Sequence, residues 1–228
     1  MSTFALAGTL KNPIPIEAIE ARLAGEAFHI AKPSTPDPNL VLVTEVTGVE
    51  RSGGRLLLKV RWDSAAQRED EQGTVWDRRV NRVVACIRTV HGEPLAFVHG
   101  DSRMLCAESK GTLSRILTGQ NAQVLPLRPG EPMFDWIREH DAARLISAGV
   151  RRPHGAGIRT FKLGGPFETD DAEWENIRTS GVVVHLHYES HDGNEYSVYT
   201  NGTFYGEGPG FDHNRMEAFV IEKVIPHL

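Results

Sequence analysis

Residues 182–205 read Val-Val-Val-His-Leu-His-Tyr-Glu-Ser, then His-Asp-Gly-Asn, then Glu-Tyr-Ser-Val-Tyr-Thr, then Asn-Gly and Thr-Phe-Tyr. Apolar and polar residues alternate within each run, and a turn containing glycine separates each run from the next. That combination fits an antiparallel meander, because side chains alternate across a strand and glycine accepts the left-handed backbone of a tight hairpin turn. The same signal occurs earlier. Leu40–Val49 and Arg55–Trp62 flank Ser52-Gly-Gly, and the run Val83-Val-Ala-Cys-Ile87 leads through His91-Gly92-Glu93 into Pro94–His99. A sheet of this kind is dry on one face only, so it needs helices to cover that face.

Helical spacing supplies them. Ile16, Ile19, Leu23 and Ala27 recur on one side of Pro15–Ala31, with Glu17, Glu20, Arg22 and Glu26 opposite, and with Pro13 and Pro15 at the entry. Lys110–Leu117, closed by Gly119, forms a second helix, and Glu131–Ala148 a third, with Phe134, Ile137, Ala142, Leu145 and Ile146 on its apolar side. An acidic helix over Asp170–Ile177 and a last one over His213–Val224 follow. Asp63–Gly73, charged and without period, is expected as a surface loop, and Arg103–Cys106 as a short strand.

The fold class expected is therefore α+β: two units of antiparallel meander sheet, each capped by a helix. Residues 83–118 and 182–224 share the order strand, turn, strand, turn, strand, helix, the pattern of a pseudo-duplication. The division expected is 1–148 for an N-terminal unit, a basic glycine-rich connection over 149–166, and an acidic C-terminal unit over 167–228.

Charge is segregated along the chain. The net charge is −5, with 25 Lys and Arg against 30 Asp and Glu. Residues 1–75 contribute −2, residues 76–166 contribute +6, and residues 167–228 contribute −9. A basic middle attracts either a polyanion or an acidic part of a protein. The cations that would meet phosphate are Arg151, Arg152, Arg159 and Lys162, with His154 beside them, and Arg78, Arg79 and Arg82 on the preceding strand. Few aromatic residues are interleaved with them, so the pattern reads more simply as a solvated face.

Strand alternation also places His185, His187 and Glu189 on one face, roughly 6.5–7 Å apart at Cα, where imidazole and carboxylate could share a metal ion with His191. The same alternation suits a solvated sheet face with no metal. Neither a CxxC nor an HExxH pattern supports a metal site, and there is no G-x-S-x-G or Walker motif. The loop Gly206-Glu-Gly-Pro-Gly carries Glu207 where a phosphate would sit, and reads as a turn.

The longest apolar runs, such as Val83–Ile87, fall far short of the roughly 20 residues that cross a bilayer. The first residues lack the basic region of a signal peptide. Two cysteines, Cys86 and Cys106, do not make a disulfide framework, which suits a reducing, cytoplasmic setting. With no catalytic set in view, the expectation is a non-enzymatic binding or adaptor protein that requires no cofactor. It would present sheet surfaces and loops to a protein partner or to a second copy, away from membranes. The two alternatives are a nucleic-acid-binding protein using residues 76–166 and a metal-dependent hydrolase centred on His185, His187 and Glu189.

Overall fold

The computed structural model describes residues 2–11, 15–25, 28–71, 73–118, 124–154, 157–167 and 171–228. In chain order the elements are β1 (Ser2–Leu10), α1 (Ile16–Gly25), β2 (His29–Pro33), β3 (Val41–Ser52), β4 (Arg55–Asp70), β5 (Gly73–Val90), β6 (Glu93–Gly100) and α2 (Arg103–Thr118). They continue with β7 (Val124–Pro126), α3 (Glu131–Trp136), β8 (Ala142–His154), β9 (Gly157–Phe167), α4 (Asp171–Thr179), β10 (Val182–Ser190), β11 (Glu195–Tyr199), β12 (Thr203–Glu207) and α5 (His213–Phe219). The molecule is thus mixed helix and antiparallel sheet, as the hairpin signals require. Among the described residues no helix is long and apolar enough to cross a membrane.

The chain divides into two compact units, but not at the sequence-based boundaries. One unit comprises Gly8–Leu125; the other combines Met1–Ala7 with Pro126–Leu228. Of residues 149–166, expected as a connection, 149–154 and 157–166 instead belong to the paired strands β8 and β9 of the second unit, and 155–156 lie outside the described residues. Gly149, Gly157 and Gly164 are paired within these strands, Gly164 beside a register shift, and composition alone does not separate such glycines from those of a linker.

In the first unit β2, β3, β4, β5 and β6 pair successively, all antiparallel. Leu56, Leu58, Val60 and Trp62 on β4 pair with Ile87, Ala85, Val83 and Asn81 on β5, and all are buried. Ile16, Ile19 and Leu23 of α1 and Leu113, Ile116 and Leu117 of α2 complete this unit's core. Three expectations fail here. α1 stops at Gly25, and His29–Pro33 is a strand paired with Val41–Glu45. Arg103–Cys106 is the first turn of α2, where the Ser102 hydroxyl accepts from Leu105 N at 3.2 Å. Within the expected loop Asp63–Gly73, Asp63–Asp70 is strand: β4 and β5 remain in register out to Asp70↔Gly73. Glu26, Ala27, Pro13 and Gly119, used above to place helix ends, lie outside the described residues.

In the second unit the strand order is β1, β12, β11, β10, β8, β9. α5 covers one face, where Tyr196 stacks on Phe219 at 4.2 Å and meets Phe211 edge-on at 5.6 Å. The helix expected over Glu131–Ala148 ends early: a π-helical turn, Ile137–Asp141, follows α3, and Ala142 begins β8. A second π-helical turn, Val220–Val224, extends α5.

Candidate functional site

Two polar sets occupy opposite faces of the β10–β11–β12 sheet, as the period-two alternation dictates. Beneath α5, Asp141 closes the first π-helical turn with a side chain only 7% exposed. Tyr188 donates its hydroxyl to Asp141 Oδ2 at 2.7 Å, and Ser190 donates to Oδ1 at 3.0 Å. Lys223, on the second π-helical turn, donates to the same carboxylate and lies 5.9 Å from the Tyr196 ring centroid. A buried carboxylate is costly unless paired and hydrogen-bonded, and here both conditions hold. Burial first, then the Asp141 charge, hold the Tyr188 phenol well above its ordinary range, so it remains a donor.

Beside this set, Asp192 accepts from Asn194 N at 2.9 Å, from Tyr196 Oη at 3.0 Å and from Arg215 at 3.3 Å. Burial acts to raise its pKa, but the hydrogen bonds outweigh it and hold the carboxyl below 3.8. Both hydroxyl-bearing residues are enclosed, Ser190 at 1% accessible and Tyr188 at 0%. These hydrogen bonds fasten α5 and the π-helical turn after it to the sheet.

The opposite face carries His185, His187 and Glu189, then Glu195, Ser197 and Tyr199, then Tyr205 and Glu207, and then Phe4. The three candidate metal ligands on β10 have separate partners. His185 stacks on Tyr199 with centroids 4.1 Å apart. His187 Nε2 lies 3.0 Å from Glu195 Oε2, and Glu189 accepts from Arg144 at 2.9 Å. His191 is exposed in the turn, its backbone N–H donating to Asp141 O at 3.0 Å. Among the described residues no three His, Cys, Asp or Glu side chains are grouped so as to hold a metal ion. Tyr205 donates to Glu207, and its phenol is pushed up to about 12, by burial first and then by that carboxylate.

The cations fall into two groups, one in each unit. Arg151 and Arg152 are exposed neighbours on β8, and Arg152 donates to Ser180 O at 2.6 Å. Arg159 and Lys162 occupy β9 at register positions opposite Arg152 and Gly149. Arg78, Arg79 and Arg82 are exposed on β5 in the other unit. Arg78 lies 3.9 Å from Asp63, whose side chain is fully buried and also accepts from Val43 N at 3.1 Å.

The largest feature missed by sequence reading lies in that unit. β3 accompanies β4 only as far as the Thr44↔Trp62 pair, and β6 accompanies β5 only over Val84–Val90. Between these limits and the tip, Asp63↔Val80 to Asp70↔Gly73, the two strands continue as a ribbon that no third strand joins among the described residues. At roughly 3.3 Å per residue these rows extend about 26 Å. Ser64 accepts from Asn81 at 3.1 Å near the base, Arg68 pairs with Asp77 at 3.2 Å further out, and Val80 is an exposed apolar side chain. The one available signal was the equal length of the two arms about Gly73.

No family model matches the sequence, and no curated protein is significantly similar to it.

Proposed function

We propose that this protein is a non-enzymatic binding or adaptor module that takes hold of a protein partner through the Asp63–Val80 ribbon. The observation that carries this reading is the length of ribbon that has no sheet neighbour among the described residues. Two strands alone are marginally stable in water, whereas a third strand or a packed surface makes them secure. Both edges of the ribbon offer backbone N–H and C=O groups, the chemistry that accepts an added strand. Val75 and Trp76 near the tip supply apolar area for side-chain contact.

Charge favours protein over nucleic acid as the occupant. Arg68, Arg78 and Arg79 are outnumbered by Asp63, Glu69, Asp70, Glu71 and Asp77 across the ribbon, leaving it net negative. Burial of both thiols, Cys86 and Cys106, suits a cytoplasmic setting. The internal duplication of residues 83–118 and 182–224 is a proposal of the same standing: in each segment a hairpin, β5–β6 or β10–β11, is followed by a helix, α2 or α5, although β12 intervenes in the second segment alone.

The test is a photo-crosslinking amino acid at position 76 in cells of the native host, with products identified by mass spectrometry. One dominant protein product, lost when residues 64–79 are replaced by a two-residue Asn-Gly turn, is expected. Crosslinks to nucleic acid alone, or none above an exposed control position, would overturn the reading.

A further inference from the structure

The ribbon that runs from Asp63↔Val80 to Asp70↔Gly73 carries its charge unevenly. Glu69, Asp70 and Glu71 stand at the tip, and Arg78, Arg79 and Arg82 toward and just below the base. Between them Arg68 and Asp77 pair with each other at 3.2 Å and cancel. We propose that the occupant of the ribbon is a second copy of this chain, the two ribbons lying antiparallel across a two-fold axis at Trp76. This inference rests on the reading of the ribbon as a docking element and names what docks there.

Alternation puts Asp63, Ala65, Gln67 and Glu69 on one face of β4, and their register partners Val80, Arg78, Trp76 and Thr74 share that face on β5. The approach of Arg78 Nε to within 3.9 Å of Asp63 accords with the shared face. Its middle is apolar: Trp76 and Ala65 are half-buried and Val80 is exposed. Glu69 and Arg78 each stand two residues from the Gln67↔Trp76 row, one toward the tip and the other toward the base. At roughly 3.3 Å per residue each is about 7 Å from that row.

A two-fold axis through the row therefore sets Glu69 of each copy against Arg78 of the other, and Trp76 against Trp76. Two aromatic anchors at the centre with charges at the rim match the anatomy of protein interfaces, and the same patch serves both copies. Parallel ribbons would stack acid on acid at the tip and arginine on arginine at the base, so charge selects the antiparallel arrangement. Arg78 need not give up Asp63 to take part. That carboxylate is fully buried and also lies 3.6 Å from Arg61, whereas the Arg78 side chain is 51% exposed. A face of this length is small for a stable interface, so a micromolar dissociation constant is expected.

The experiment is analytical ultracentrifugation of the full chain across the micromolar range. A monomer–dimer equilibrium that weakens as salt rises is expected. Glu69→Arg and Arg78→Glu should each weaken the dimer about tenfold or more, since each sets like charges together twice. Mixed, the two variants should dimerise as tightly as the parent, because opposite charges then face one another at both places. Gln67→Cys, in the row of the axis, should be joined to its counterpart by a short bis-maleimide, whereas Val80→Cys, four residues from the axis in each copy, should not. Cys86 and Cys106 are 0% exposed and leave this readout clear, and it does not depend on the folding of Arg78→Glu. Three results would each overturn the inference: a monomer at every concentration, a dimer that survives replacement of residues 64–79 by Asn-Gly, or crosslinking through Val80→Cys in place of Gln67→Cys. If the chain stays monomeric while position 76 captures one different protein in the native host, the proposed function stands and this inference alone falls.

Discussion

The Tyr188 hydroxyl donates to Asp141 Oδ2 at 2.7 Å, joining the inner face of β10 to the residue at which helix gives way to strand β8. Ser190 and Lys223 converge on the same carboxylate, so one side chain fixes the junction, the sheet and the C-terminal π-helical turn.

Asp141→Ala should therefore be costly. It strands a buried phenol and a buried hydroxyl and leaves Lys223 without its counter-charge. Lys223 remains 29% exposed, so solvent recovers part of the loss, and about 3 kcal/mol is expected. Tyr188→Phe removes one hydrogen bond and should cost about 1–2 kcal/mol. Urea midpoints at constant slope measure both, and the double variant should lose less than the sum.

Asp192 gives the second unit an acid-sensitive fastening. Its folded pKa lies below 3.8, so its contribution is complete above that value and is lost as pH falls through the folded value. Asp192→Asn should lower stability near neutral pH and flatten the acid limb below about pH 4. Thermal unfolding across that range checks the sign. An acid limb as steep as the parent's would show that other carboxylates govern it.

At the alkaline end the direction reverses. The Tyr205 phenol is raised from 10.0 to about 12, so what it contributes is complete below 10 and disappears as pH rises through about 12. In ultraviolet titration, Glu207→Gln should lower this pKa while leaving it above 10, since burial is the larger cause.

Gly206 is fixed by packing. A Cβ there would lie 2.1 Å from Phe211 Cζ and within 2.8 Å of two further ring carbons, and Phe211 is 1% exposed. Gly206→Ala should destabilise by about 2–4 kcal/mol, and Gly206→Ala with Phe211→Leu should recover part of that.

In the first unit, amides of the outer ribbon should exchange with solvent far faster than those of Leu56–Val60, where β3 and β5 flank β4. Hydrogen exchange read by mass spectrometry measures this. Equal protection along β4 would mean that the ribbon is held as firmly as the core.

Local chemistry made much of this fold legible. Alternation with tight turns located β10, β11 and β12, and helical period located α5 and the C-terminal half of α2, because those signals need only near neighbours. The same alternation placed His185, His187 and Glu189 on one face, but not their partners. Tyr199, Glu195 and Arg144 come from two other strands, and only pairing register selects them.

By itself the sequence determined which segments turn, which alternate and where charge collects. Tertiary structure decided the end of the helix at Asp141, since Phe134 to Ile146 keep helical spacing beyond it. The residues that hold Asp141 stand 47, 49 and 82 positions further along the chain. It also decided that Asp63–Asp70 is strand. A ribbon solvated on both faces has no dry side to impose a hydrophobic period, so only its backbone pairing shows what it is.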